Sequence, residues 1–349
     1  MSTSNKLDIG NKLELGPRRT APPLHRPDGF EAPYDAYEPR FKQLDDLVMV
    51  IFGIEIRSGD GREMEARFLQ TLQHKGGPHL LEHGQVKDGF GPNSKVWFAY
   101  WRSQEDYANW CAVSGIEALF ADEALLVGDI GLWREYCYIS LDHNETSYSR
   151  EENITGLGNF CDNIEVTPHH GYWGSARDRM VATVNDDLDA QGQFTSSAPQ
   201  NTLGKRIRIT APKNTCLIKT TQDLSLTNNE QLAIYRDNVE PALHAGLNYL
   251  RGNGQEAGCI GMRFVQEAPI SESKARTIGV GYFTSLGTLE NWTHHHPTHE
   301  KIMQVFMAMV GQFEGQPGLH LWHEISVFDT GRLTGDYVNC TPDGTLMQG

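Results

Sequence analysis

A long internal repeat constrains this 349-residue chain more than any other feature. Tyr100-Trp101-Arg102-Ser103, five further residues and then Asn109-Trp110 recur as Tyr282-Phe283-Thr284-Ser285, five residues and Asn291-Trp292, at a constant offset of 182. Leu132-Trp133-Arg134-Glu135 recurs as Leu321-Trp322-His323-Glu324 at an offset of 189, so the second copy carries seven extra residues. Around each copy the hydrophobic patterns run in one order. The first has an apolar, β-prone run from Asp46, helix formers from Glu63 to Gln73, and short strands at Pro78–His83 and Val96–Trp101. A helix capped by Ser103, with an acid at Asp106, and a strand over Leu132–Leu141 complete it. The second copy has a strand from Thr215, a long helix over Asn228–Leu250, and strands at Gly258–Val265 and Ile278–Phe283. A short helix from Ser285 and a last strand at Leu321–Phe328 follow. Both read β-α-β-β-α-β, the ferredoxin-like order. The expected fold is therefore α+β: two duplicated ferredoxin-like halves, residues 46–165 and 166–349, forming a pseudo-symmetric barrel behind an extended arm, residues 1–45.

The arm holds Pro17, Pro22, Pro23, Pro27, Pro33 and Pro39, which exclude a regular core element. Its Phe30, Tyr34, Tyr37 and Phe41 predict packing on a surface. Thirty basic against 45 acidic residues give a net charge of −15, which disfavours nucleic-acid partners. No run of about 18 apolar residues is present to span a membrane. The start of the chain has no apolar signal segment. Six scattered cysteines without a C-x-x-C spacing argue against zinc ribbons and cysteine-held clusters. A cytoplasmic protein is the expectation.

Histidine carries more information. From His299, the apolar residues Ile302, Met303, Phe306 and Val310 fall on one helical stripe, and Pro297 suits the helix start. His299 thus faces the core, His296 can cap the helix, and His294 and His295 are expected outside. A core imidazole among methionines fits a structurally satisfied histidine or an axial haem ligand. A zinc site needs three or four converging ligands, and Pro297 spoils the His295–His299 helical pair. His323 alternates with Leu321, Ile325 and Val327 on the apolar face of the last strand, where burial is expected to lower its pKa. His320 takes the other face. The repeat places Arg134 where the second copy has His323, and Glu117 where it has His299, so the shared scaffold does not require either histidine.

Several motifs together resemble the haem-containing aldoxime dehydratases. They are His296-Pro-Thr-His299, Leu321-Trp-His323-Glu324, His170-Gly-Tyr-Trp-Gly-Ser followed by Arg177-Asp-Arg179, Cys216-Leu-Ile-Lys-Thr-Thr-Gln-Asp, and Asp336-Tyr-Val-Asn-Cys-Thr-Pro. The resemblance spans about residues 18–345. It implies haem b, ferrous for activity, held by a proximal histidine in the second half of a dimeric α+β-barrel type fold, and conversion of an aldoxime, R-CH=N-OH, to a nitrile and water. It also implies a homodimer. Carried over residue by residue, His299 matches the haem-iron ligand and His323 the distal acid–base. Arg177 or Arg179, the latter favoured, matches an assisting arginine, and Glu145 an acidic residue near the site. Where the family is expected to have Arg-Ser-Gly, this chain has Lys219-Thr220-Thr221, so Thr220 keeps the hydroxyl with an added methyl.

The chemistry is coherent. Hydroxide is a poor leaving group, and a positioned imidazole protonating it contributes roughly 10²–10⁴-fold. The alternatives are a peroxidase-like haem oxidoreductase, which would favour a distal Arg or Asp, and a haem carrier or sensor, which would need no distal proton donor.

Overall fold

The computed structural model describes residues 21–86, 89–194, 201–267, 276–313 and 318–349. The first 20 residues of the expected arm, Pro17 included, lie outside the described residues. The rest of the arm runs irregularly to a short strand, β1 (Tyr37–Arg40). The first half follows as β2 (Asp46–Ile56), α1 (Arg62–Leu72), β3 (Leu80–Val86), β4 (Asn93–Trp101), α2 (Gln104–Ser114), α3 (Ile116–Ala121) and β5 (Ile130–Ser140). A connection carries β6 (Asn144–Tyr148), β7 (Asn163–Val166), the short helix α4 (Ser175–Arg179) and β8 (Arg206–Thr210). The second half contains β9 (Thr215–Asp223), α5 (Asn229–Ile234), α6 (Glu240–Gly252), α7 (Gly254–Ala257), β10 (Cys259–Glu267), β11 (Arg276–Phe283), α8 (Leu286–His295), α9 (Pro297–Gln312) and β12 (His320–Phe328). A further strand, β13 (Leu333–Val338), follows β12, so β12 is not the last strand as expected.

Among the described residues, the thirteen strands join one sheet, ordered β7-β1-β6-β12-β9-β11-β10-β3-β4-β2-β5-β13-β8. Within each half the strands run fourth, first, third, second, and β10 meets β3 where the halves join. The sheet curls so that Met49, Ile51 and Tyr100 of the first half share a core with Leu217, Val280 and Tyr282 of the second. Helices cover the outer faces. Ser103 caps α2 as expected, accepting from the Asp106 amide, whereas the reciprocal capping box is formed in the second half, by Ser285 and Thr288.

One expected element is broken. Residues 228–250 were expected to form one helix, but α5 and α6 are joined by a π-helical turn over Tyr235–Val239. Pro241 stands in the first turn of α6. It has no amide to donate back, and its ring crowds the preceding turn, so the ladder widens there.

The outer layers of the two halves differ. In the first, Phe52 of β2 and Trp97 of β4 pack with Phe68 of α1 and Trp110 of α2, all at 3% exposure or less. Trp97 and Phe68 have ring centroids 4.7 Å apart. In the second, the corresponding strands offer much smaller side chains.

Candidate functional site

The strand pairings make that difference exact in position. Across β5-β2-β4 of the first half, Arg134 pairs with Phe52 and Phe52 with Trp97. Across β12-β9-β11 of the second, His323 pairs with Thr220 and Thr220 with Gly279. Gly279 follows Trp97 by the repeat offset of 182. Two large aromatics have thus become Thr and Gly on one stretch of sheet. A methyl carbon built on Gly279 would meet only Thr220 within 4 Å, its Cγ2 at 3.1 Å and its carbonyl oxygen at the limit.

The helices above follow the same logic. In the first half Arg134 reaches α3, where its guanidinium holds both carboxylate oxygens of Glu117 at 2.5 and 3.1 Å. The corresponding residues of the second half are His323 and His299. His299 sits on the first turn of α9, with Ile302 packed into the core cluster of the second half. Its ring lies edge-on to Trp292, centroids 4.8 Å apart. Burial pushes its pKa down to about 4, against a weaker contribution from the Thr293 backbone. It is therefore neutral near pH 7, and its Nδ1 is buried without a hydrogen-bond partner of good geometry. A neutral imidazole on the first turn of α9, with no side chain claiming its Nδ1, would suit a haem-iron ligand. His296 is otherwise occupied: it caps α9 through Thr298 and stacks on Tyr249 at 3.7 Å. His294 and His295 are exposed, as expected.

His323 does not stand in the hydrocarbon surroundings expected for it. It shares the outer face with Leu321 and Ile325, but its Nε2 lies 2.8 Å from Glu145 Oε1 and 3.3 Å from Arg179 Nη2. Its side chain is 33% exposed, whereas Glu145 is fully buried. The burial among apolar groups expected for His323 is thus absent. Glu145 reaches this point because β6 pairs with β12, with Glu145 opposite Ile325 and Ser147 opposite His323. Burial pushes the Glu145 carboxyl up, but Arg179 and His323 together outweigh it and hold it below the usual carboxylate range. Arg179 donates from Nε to Glu145 Oε2 at 2.8 Å and from Nη1 to the His169 carbonyl.

Arg177 points elsewhere. It binds Glu290 of α8 at 2.7 Å and the Asp187 carbonyl at 2.7 Å, so the structure brings Arg179 and not Arg177 to His323. Between them Asp178 accepts from the arm, through the Leu24 amide at 2.8 Å and the His25 amide at 3.1 Å. Tyr34 of the arm packs on His170 and on Phe306 of α9. His320 lies on the opposite strand face, buried against Tyr148 and Trp322, with its pKa pushed down to about 4 by burial.

Sequence reasoning missed Gly279 and Asp178. The first was accessible, because carrying the 182-residue offset back from Tyr100 to Trp97 lands on it. The second is tied to the arm by backbone amides 153 and 154 residues away, a pairing no local pattern specifies.

Residues 51–345 match the family model of haem-containing dehydratases. The chain is 32% identical over 301 residues to a phenylacetaldoxime dehydratase of Bacillus sp. (strain OxB-1), covering 85% of this chain and 86% of the relative. It is 29% identical over 334 residues to an aliphatic aldoxime dehydratase of Pseudomonas chlororaphis, covering 92% and 93%. A crystal structure of an aldoxime dehydratase in complex with butyraldoxime superposes with a TM-score of 0.86 at 28% identity, covering 95% of this chain and 93% of that one.

Proposed function

Because the chain belongs to the family of haem-containing dehydratases, we propose that it dehydrates aldoximes to nitriles at the outer face of β9 and β12, with His299 as the proximal ligand of haem b. The observation that carries this placement is that Thr220 and Gly279 stand beside His323 where the first half has Phe52 and Trp97 beside Arg134. Ferrous haem, when bound, supplies a metal centre for the oxime nitrogen.

The chain's own residues supply the proton chemistry. The N–O bond breaks only if the departing hydroxyl is protonated, and the aldehydic C–H proton must then leave. His323 does both in turn. Glu145 engages Nε2 and fixes the ring, which leaves Nδ1 for the oxime oxygen. Arg179 keeps Glu145 ionised beside it. Thr220, opposite His323 in the register, donates or accepts at the oxime oxygen and aligns it. Arg177 acts at a distance, tying α4 to α8. The two halves are read as ferredoxin-like duplicates in a cytoplasmic homodimer, whose mass by light scattering would be about twice the 39.1 kDa of one chain.

The test is an anaerobic spectrum of the reduced protein with butyraldoxime, followed by nitrile assay. A Soret shift with nitrile formed only by reduced protein supports the reading. Turnover with peroxide by ferric protein and none of aldoxime favours the oxidoreductase alternative, and a shift without turnover favours a carrier or sensor.

A further inference from the structure

The inner face of β9 and β12 carries charge that the proposed chemistry does not use. Lys219 is 1% exposed, yet its ammonium donates to Glu82 Oε2 at 2.6 Å and the Tyr100 hydroxyl at 2.9 Å, and lies 3.8 Å from Glu324 Oε1. Glu324 also accepts from the Leu157 amide at 2.9 Å. Burial pushes the Lys219 pKa down, but Glu324 and Glu82 outweigh it and hold the ammonium charged. A buried ion cluster of this kind is poor evidence for stability, since well-packed hydrocarbon often does as well; its best-attested use is to fix register.

Register is what these strands need. Lys219 stands opposite Glu324, and the next residue along, Thr220, stands opposite His323. A slip of one residue would carry Lys219 to the outer face and Thr220 into the barrel. Tyr100 and Glu82 belong to β4 and β3 of the first half, so the lock is anchored in the half that carries no site.

We propose that Lys219 is a positioning residue: its buried pairs with Glu82 and Glu324 hold β9 against β12 in the one register that sets Thr220 opposite His323. The inference rests on the reading of His323 and Thr220 given above. It is tested with Lys219→Met and Lys219→Arg, each with and without Thr220→Ala. Lys219→Met is expected to retain haem and to bind butyraldoxime in the reduced state within about threefold of the parent, by Soret titration, while kcat falls about tenfold or more. Lys219→Arg should restore most of it. In the Lys219→Met background, Thr220→Ala should cost less than about twofold further, because the hydroxyl is already out of place. In the haem-free protein, amide exchange should quicken along β9 and β12 in Lys219→Met and stay near the parent in Lys219→Arg. If Lys219→Met does not fold, Glu324→Gln, which spares the Lys219–Glu82 pair, is read the same way. Parental kcat in the folded variant overturns the proposal, as does an equal cost of Thr220→Ala in both backgrounds. Normal turnover in His323→Ala would instead overturn the site reading beneath it.

Discussion

Glu145 is the residue on which the proposed chemistry is most exposed to refutation. Replacing it with Gln keeps the shape and removes the charge. The Arg179 side chain is 3% exposed and Glu145 is fully buried, so water cannot make good the loss. Breaking a buried pair from one side costs about 3–5 kcal/mol, because it strands the remaining charge. An unfolding entropy of about 2.1 cal/mol/K per residue, applied to this length, turns that into a fall in melting temperature of about 4–7 °C. The second effect is on rate. His323 loses the acceptor that fixes its ring, and kcat should fall by about 10²-fold with haem content unchanged. Differential scanning calorimetry and steady-state nitrile formation, normalised to haem, measure the two. Adding Arg179→Met to Glu145→Gln should recover much of the stability, since no charge is then stranded, without recovering the rate. A Glu145→Gln protein that melts within about 1 °C of the parent and turns over normally would show that the Glu145–Arg179–His323 network does not operate.

Other outcomes follow from the same geometry. His299→Ala should not retain haem tightly, with partial rescue by added imidazole; full haem content would move the ligand to His296, despite its cap. His323→Ala should keep haem and bind aldoxime but lose nitrile formation by about 10²-fold, whereas His320→Ala should cost far less in rate, as haem-normalised kinetics would show. Thr220→Ser should preserve kcat and Thr220→Ala lower it, with little change in substrate binding. The pH dependence of the haem-free protein has a definite sign. His170, His299 and His320 each have folded pKa values pushed down to about 4, so the unfolded chain takes up protons first. Stability should therefore be intact above about pH 6.5 and fall as pH drops toward 4, which urea midpoints across that range would register.

Much of the element order was legible because one residue pattern recurs in the sequence at an offset of 182. The Tyr-x-x-Ser caps and the Leu-Trp strands fix where the third strand, the following helix and the fourth strand lie in each half. The π-turn before α6 was not foreseen because helical periodicity continues through Pro241 while the hydrogen-bond ladder does not. In the proposed site, the apolar stripe of α9 pointed to His299 and strand alternation to His323. Their surroundings did not. Alternation says which face His323 takes, but β6 and α4, which bring Glu145 and Arg179 beside it, arrive by pairings that no local pattern specifies. The choice between Arg177 and Arg179 is of the same kind: both belong to one short helical turn, and only the Glu290 and Glu145 carboxylates separate them.

The aromatic filling of the first half has a bearing on how the chain matures. Phe52, Phe68, Trp97 and Trp110 fill the outer layer of that half with its own side chains, while its inner layer is shared with the second half. In the proposed site, the second half would give the equivalent volume to the haem. A ligand that binds only the native state adds RT ln(1 + [L]/Kd) to its stability, and here the whole of that gain falls on one side of a seam between β3 and β10. Cells short of haem would then accumulate a chain with one rigid half and one soft half, and proteolysis of the haem-free protein should begin in the second.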